Sequence, residues 1–233
     1  ADFAISIAVG WPWLDQGLCR EHNDYLADVA NRNGDRIAWL GIVNPALFDA
    51  PGEMERVVKN GAVGIGEVNA DAQRFDWADP TAIAYALEAT QSLDIPMMIH
   101  TSEPVGHGYP GKGVATPERL VKTLEAFPDV RFVMAHWGGG LPFYELMPEV
   151  RGIARNVTYD SAASTYLYDF SIFPALERII GADRILFGSD YPVLAQRRFL
   201  ARVLDSGVSD DALPAILAGN ARRVYRLGNE VTE

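Results

Sequence analysis

The sequence of 233 residues contains one cysteine and no long hydrophobic run. Cys19 alone cannot form an internal disulfide or a CxxC motif, which favours a reducing compartment. No apolar run approaches the ~18 residues of a membrane-spanning helix, and the N-terminus lacks the basic flank of a signal peptide. We therefore expect a cytoplasmic protein with no membrane partner.

Positive charge is also scarce, because 20 Lys and Arg residues stand against 31 Asp and Glu residues, a formal net charge of −11. Such an acidic chain repels phosphate backbones and anionic lipid, and no stripe of Lys or Arg interrupts it. Nucleic acid is therefore excluded as a partner, and a small-molecule substrate is expected instead.

The chain does contain enough apolar material for a full core, with 48% hydrophobic and 22% charged residues. A length of roughly 200 to 250 residues suits an undivided α/β barrel. No linker, charge block or low-complexity tract interrupts the sequence, so we predict a single domain over residues 1–233.

Seven short apolar runs alternate with longer amphipathic stretches, and most lack polar alternation, as is typical of strands buried on both faces of a parallel sheet. Strand, helix, strand repeats indicate right-handed parallel crossovers, in either an open doubly wound sheet or a closed eightfold barrel. The runs are FAISIAVG (3–10), IAWLGIV (37–43), AVGIGEV (62–68), IPMMIH (95–100), VRFVMAH (130–136), NVTYDSA (156–162) and RILFGSD (184–190).

Several helix boundaries are predicted between and after these runs. Thr116 followed by Pro117 predicts a helix start, because proline suits the first helical position. Near the C-terminus, Ser209 is expected to cap a helix that ends at Gly219, and Asn220 to cap a final one.

The number of runs is one short of eight, and the first run begins directly at the chain start. We therefore expect a TIM-type (β/α)8 barrel whose first βα unit is missing from this chain and would precede residue 1. Removing one strand from a barrel exposes two ladder edges, at FAISIAVG and RILFGSD, which invite pairing with another chain. A preceding segment or a homo-oligomer is expected to cover them.

Polar side chains able to bind a metal end three of the runs. His100 closes IPMMIH, His136 closes VRFVMAH and Asp190 closes RILFGSD. Because the carboxyl ends of all barrel strands emerge on one face, these three side chains can converge. Two imidazoles and a carboxylate suit a divalent ion, above all zinc, with an open position for water.

A histidine at a strand end can also be structural, because a single such histidine is more often a hydrogen-bonded structural residue than a metal ligand. Two of the four His at the same place in successive βα units, followed by an Asp, reverse that expectation. His22 shares a helical face with Cys19 and Leu26 and is interpreted as packing. His107, in the glycine-rich loop 103–113, is either a ligand contact or a solvated loop residue.

Four motifs, in order and approximate spacing, resemble the metal-dependent amidohydrolase superfamily. The resemblance is to the amidohydrolase-related branch, which includes hydrolases, lactonases and non-oxidative decarboxylases such as aminocarboxymuconate semialdehyde decarboxylase. It covers essentially the whole chain and implies a (β/α)8 barrel. That family carries a His-x-His pair of metal ligands on its first strand; this sequence lacks one, so the pair would lie in the segment expected before residue 1. The motifs are MIHTSEP (98–104), MAHWGGGLPFY (134–144), ILFGSDYP (185–192) and GNARRVYRL (219–227).

The resemblance implies roles for the residues at the strand ends. His100 corresponds to the fifth-strand metal ligand of the family and Asp190 to the eighth-strand ligand. His136, on the sixth strand, is a second metal's ligand in binuclear members and an acid or base in the decarboxylase-like ones. Glu67 matches the fourth strand, where some members place a bridging carboxylate. For Glu67 we expect a contact with substrate or with the ligands.

Three further residues near these motifs are expected to contact substrate. Trp137 and glycines 138–140 follow His136 immediately, where close backbone approach and a plain strand-to-helix turn are the alternatives. Tyr109 and Lys112 lie in a long loop of the kind in which barrel enzymes place specificity contacts. Lys112 would suit a carboxylate substrate, its alternative being an exposed solubilising residue.

Taken together, these residues favour a metal-dependent hydrolase that cuts an ester, lactone or amide bond of a small organic substrate. Asp190 would accept a proton from the metal-activated water and pass it to the leaving group, while His136 polarises the carbonyl. The alternative is a non-oxidative decarboxylase of an aromatic or muconate-type acid, in which His136 activates the water that protonates the substrate carbon. A non-catalytic barrel with an incomplete metal site is the alternative from another class.

Overall fold

The computed structural model describes residues 5–34 and 36–228. Within those residues the chain forms seven short strands, one inside each of the predicted apolar runs. They are β1 (Ser6–Ala8), β2 (Ile37–Trp39), β3 (Ile65–Val68), β4 (Met97–Ile99), β5 (Phe132–Met134), β6 (Val157–Asp160) and β7 (Ile185–Leu186).

The strands lie beside one another in chain order. β1 pairs with β2, and β3 to β7 form a five-stranded sheet, with every pairing parallel. A parallel bridge between Gly41 and Ile65 joins the end of β2 to β3. Sequential parallel strands separated by helices are the arrangement of a (β/α) barrel, so the predicted fold class is confirmed. The carboxyl ends of the strands therefore share one face.

Helices connect the strands throughout the described part of the chain, and none there is long and apolar enough to cross a membrane. One of them begins at Pro117 after Thr116, as predicted. The helices are α1 (Gln16–Arg32), α2 (Ala50–Lys59), α3 (Ala70–Gln73), α4 (Ala84–Ser92), α5 (Pro117–Ala126), α6 (Leu141–Tyr144), α7 (Pro148–Ile153), α8 (Ser164–Leu167), α9 (Ile172–Ile180), α10 (Gln196–Leu204) and α11 (Asn220–Tyr225).

The last helix differs from its prediction. A π-helical turn at Ala215–Gly219 runs directly into α11, and Gly219 keeps a helical φ of −57° and ψ of −43°. Asn220 does not cap, because its Nδ2 donates to the carbonyl oxygens of Ala182 and Ile185 at 2.7 and 2.8 Å. The predicted helix end at Gly219 and cap at Asn220 are therefore wrong, since these tertiary hydrogen bonds hold the helix continuous.

Ser209 does not act as a helix cap through its side chain either. Its backbone N–H donates to Glu177 Oε2 at 3.0 Å, and its hydroxyl donates to the other oxygen of the same carboxylate. Ser209 thus ties its loop to α9, and the predicted capping role is wrong.

Side chains on the two faces of each strand enter different parts of the core. Met97 and Ile99 pack in the larger hydrophobic cluster, which includes residues of the helices. Met98, between them, belongs to a smaller cluster of residues that lie in strands, directly after strands or in α11. Both faces are apolar because both are buried, which explains the missing polar alternation. His100 follows Met98 by two positions and so lies on the same side, at the carboxyl end.

Candidate active site

Three strand-end side chains meet at the carboxyl face of the barrel. Glu67 lies in β3, His100 follows β4 directly, and His136 follows β5 by two residues. Glu67 Oε1 lies 2.8 Å from His100 Nδ1 and 3.5 Å from His136 Nε2. The two imidazole rings meet edge to face with their centroids 4.9 Å apart. The structure thus brings together two of the predicted ligands and adds Glu67 to them.

The donor set of these three residues fits a divalent metal ion. One potential ligand atom from each of Glu67, His100 and His136 lies within 4.8 Å of the others. Two imidazoles and one carboxylate are ligands that zinc and manganese accept. Asp190, the third predicted ligand, follows β7 at a φ of 57° and lies outside this compact group, although its charge acts on the pKa of His136.

Electrostatics couple Glu67 and His136 as an ion pair. Burial would raise the pKa of Glu67, but hydrogen bonds to His100 and His136 and their charges hold it well below its usual range. Burial would lower the pKa of His136, but Glu67, with the charges of Asp160 and Asp190, raises it to about 10. Because a metal binds only the neutral imidazole, an ion at His136 would have to displace that proton.

The orientation of His100 is fixed from its far side by loop 103–113. His100 Nε2 lies 3.0 Å from the carbonyl oxygen of Gly111. A carbonyl oxygen only accepts, so Nε2 carries the proton of this hydrogen bond and Nδ1 is the nitrogen that faces Glu67. A backbone carbonyl that accepts from the far nitrogen of a histidine fixes the orientation of its ring.

The turn that carries His136 has an unusual backbone. Residues 136–140 all have positive φ, between 57° and 92°. Gly139 lies so close to the segment after His100 that a Cβ there would be 2.3 Å from the carbonyl oxygen of Ser102. Glycines 138–140 thus form a turn after the strand and also allow close backbone approach, the two alternatives considered from the sequence. The turn requires left-handed residues, which favours glycine.

Asp160 is the residue of this site that sequence reasoning missed. It is buried at the end of β6, and its Oδ1 accepts from the backbone N–H groups of His136 at 3.1 Å and Ala162 at 2.9 Å. Burial raises the pKa of Asp160 to about 6, against the lowering effect of His136 and of the two N–H groups. Its place at a strand end, like those of His100 and His136, was the available signal.

The other residues predicted to contact substrate make hydrogen bonds within the protein. Trp137 is fully buried, and its Nε1 donates to Ser164 Oγ at 2.7 Å, so the side chain faces the core rather than the open site. Tyr109 donates its hydroxyl proton to Glu103 Oε2 at 2.9 Å. Lys112 Nζ donates to the backbone of its own loop, including the Val105 carbonyl at 2.6 Å. The structure gives these three side chains packing and loop-forming contacts.

The other two histidines lie apart from the cluster. His22 accepts at Nδ1 a hydrogen bond from Trp13 Nε1 at 3.1 Å, a packing contact of the kind expected from its helical face. His107 is exposed in the loop, and its ring lies tilted beside that of Tyr109 with centroids 5.8 Å apart. Neither residue contributes a ligand atom to the group at Glu67.

Comparison with known proteins gives a family and a curated relative for this chain. The family described as Amidohydrolase matches residues 6–227. A gamma-resorcylate decarboxylase of Polaromonas sp. (strain JS666 / ATCC BAA-500) is 25% identical over 251 residues, covering 89% of this chain and 76% of that protein.

Solved structures share the fold. A 5-carboxyvanillate decarboxylase from Novosphingobium aromaticivorans DSM 12444, crystallised with manganese and 4-hydroxy-3-methoxy-5-nitrobenzoic acid, gives a TM-score of 0.77 at 19% identity, covering 97% of this chain and 77% of that chain. A 2,6-dihydroxybenzoate decarboxylase from Rhizobium gives 0.72 at 20% identity, covering 94% and 80%. At these identities the likeness establishes the barrel alone. The match over residues 6–227 shows that the chain belongs to the amidohydrolase family.

Proposed function

We propose that the protein is a metal-dependent, non-oxidative decarboxylase of a hydroxylated aromatic acid. The observation that carries the proposal is the convergence of Glu67, His100 and His136 at the carboxyl face of the barrel. The decarboxylase alternative is preferred to the hydrolase favoured by the sequence, because the curated relative that matches 89% of this chain is a decarboxylase.

The metal site is proposed to use His100, Glu67 and Asp190. His100 and Glu67 have the shortest contact of the cluster, 2.8 Å between Nδ1 and Oε1. Asp190 supplies the further carboxylate that the family resemblance implies. A divalent ion held there would act as a Lewis acid toward the oxygen atoms of the substrate. Manganese, present in a structural neighbour, and zinc, expected from the ligand types, are both candidates.

His136 is proposed to deliver the proton that the reaction requires. Decarboxylation replaces a carboxylate by hydrogen: a C–H bond forms at the ring carbon, the C–C bond breaks, its electron pair returns to the ring and carbon dioxide leaves. The His136 ring lies beside the proposed metal ligands, with Nε2 3.5 Å from Glu67 Oε1. After transfer, His136 regains its proton from water, and its hydrogen-bonded backbone keeps the ring in place.

The test is product analysis on purified protein supplied with Mn²⁺ or Zn²⁺. With 2,6-dihydroxybenzoate we expect carbon dioxide and resorcinol, and in D₂O one deuterium at the carbon that lost the carboxylate. Hydrolysis of an ester or lactone without release of carbon dioxide would overturn the proposal. Absence of both bound metal and turnover would favour the non-catalytic barrel instead.

Variants separate the metal ligands from the proton carrier. His100→Ala is expected to lose metal and activity together. His136→Gln is expected to keep the metal and to lose about 10²- to 10⁴-fold in kcat, the usual contribution of a positioned acid or base. His22→Gln is the matched control, because His22 hydrogen-bonds Trp13 away from the cluster. Equal metal loss in His100→Ala and His136→Gln would show that both imidazoles are ligands.

A further inference from the structure

Asp160 lies beneath the turn that carries His136 and has no role in the function proposed above. Its side chain is buried, with 5% of the residue exposed. One oxygen, Oδ1, accepts from the N–H groups of both His136 and Ala162, at 3.1 and 2.9 Å. Asp160 therefore connects the end of its own strand, β6, to the end of β5.

The backbone of His136 needs such a restraint. His136 has a φ of 57°, a left-handed conformation that costs a non-glycine residue about 1–2 kcal/mol. Strained conformations persist at functional sites only where the surroundings hold them. The hydrogen bond from the His136 N–H to Asp160 is a direct contact that holds this one.

Asp160 also controls the surroundings of the His136 ring. His136 Nδ1 lies 3.4 Å from the carbonyl oxygen of Ala162, the residue whose N–H is bound by the same Asp160 oxygen. The backbone and the ring of His136 thus both depend on the position of one carboxylate.

The carboxylate also lies near a third strand end, just after β7. A Cβ built on Gly188 would lie 3.1 Å from both Cγ and Oδ2 of Asp160 and 3.3 Å from the N of Ala162. Gly188 precedes Asp190 by two residues. The absence of a side chain at Gly188 therefore leaves the space that Asp160 occupies, and it explains the glycine of the GSDYP motif physically.

We propose that Asp160 is a positioning residue, which fixes the imidazole of His136 by bridging the ends of β5 and β6 from the space that Gly188 leaves after β7. It acts through the backbone and does not touch the substrate. The consequence for catalysis rests on the proposed role of His136, whereas the structural restraint does not.

The decisive comparison is between two substitutions at this position. Asp160→Asn keeps an acceptor oxygen for both N–H groups, and Asp160→Leu removes it at similar size. We expect Asp160→Leu to lower kcat by about 10²-fold, the effect of displacing a reacting group by about 1 Å, with smaller changes in KM and in metal content. Asp160→Asn is expected to retain most of the wild-type kcat. An equal loss in both variants would overturn the proposal, because the hydrogen bonds would not be responsible.

Hydrogen exchange provides a readout that does not depend on the reaction. The amide of His136 is expected to be protected in the wild type and in Asp160→Asn, and to exchange faster in Asp160→Leu. Unchanged protection in Asp160→Leu would overturn the positioning role even if the protein proves to be a decarboxylase. Loss of protection in a protein that decarboxylates nothing would support the restraint and reject only the proposed function.

Two further variants keep the test interpretable. Asn23→Ala removes a buried amide that bonds Ile42 at 2.9 Å, away from this site, and serves as a control for lost stability. If Asp160→Leu loses no more kcat per folded molecule than Asn23→Ala, the proposal fails. Gly188→Ala displaces Asp160 without removing a polar group, so it serves if Asp160→Leu does not fold. We expect it to lower kcat with metal retained, and an unchanged kcat would contradict the bridge.

Discussion

Among the described glycines, Gly139 is the one at which an added Cβ would come closest to another backbone atom, so Gly139→Ala tests that close approach directly. The new Cβ would lie 2.3 Å from the carbonyl oxygen of Ser102 and 2.7 Å from its carbonyl carbon. Ser102 cannot easily move, because it is buried and its N–H donates to the Ala115 carbonyl at 3.0 Å. The left-handed φ of 60° costs alanine about 1–2 kcal/mol, and overpacking costs about 1–3 kcal/mol more. We expect the free energy of unfolding to fall by about 2–5 kcal/mol.

Two other glycines separate the sources of this loss. Gly207 has a φ of 84°, and no atom lies within 4 Å of the place that an alanine Cβ would take, so Gly207→Ala measures the conformational cost alone. Gly52 lies in α2 with equally open surroundings, and Gly52→Ala should stabilise the helix by about 0.5–1 kcal/mol. Urea denaturation followed by tryptophan fluorescence gives the three values. If Gly139→Ala loses no more than Gly207→Ala, the close approach to Ser102 is refuted.

Three further substitutions or treatments test other contacts. Trp137→Phe removes the hydrogen bond to Ser164 and should lower the free energy of unfolding by about 1 kcal/mol or more, with KM unchanged. A raised KM at unchanged stability would instead indicate that Trp137 contacts the substrate. Lys112→Met should speed cleavage of loop 103–113 by proteinase K, because three carbonyl contacts are lost, and equal rates would contradict a loop-forming role. Burial raises the pKa of Cys19 to about 12, so a thiol reagent at pH 8 should label it only after unfolding, and rapid labelling of folded protein would contradict its burial.

The strands were predictable because their chemistry is uniform on both faces. Met97, Met98 and Ile99 are all apolar, since one face packs against helices and the other against the barrel interior. The helix end at Gly219 was not predictable from local rules. A glycine ends a helix only where no tertiary contact stabilises the following turn. Here Asn220 makes such a contact, because its side chain donates to carbonyl oxygens far away in the sequence.

The site was predictable to the extent that it depends on strand ends. His100 and His136 follow successive strands, and that position alone anticipates their meeting. Asp160 also ends a strand, but its role was missed because nothing in the sequence shows that its side chain accepts hydrogen bonds from backbone N–H groups. The direction in which the side chains of Trp137 and Lys112 point was not predictable, because a place beside a glycine-rich turn or in a long loop does not determine it.

The hydrogen bonds of Asn220 also bear on the order in which the protein is assembled during synthesis. Asn220 holds the carbonyls of Ala182 and Ile185, at the start of the strand that leads to Asp190. That strand leaves the ribosome before the helix that anchors it. The ends of the earlier strands can meet while translation continues. The segment from Ile185 to Asp190 is held by the hydrogen bonds of Asn220 only once Asn220 has left the ribosome.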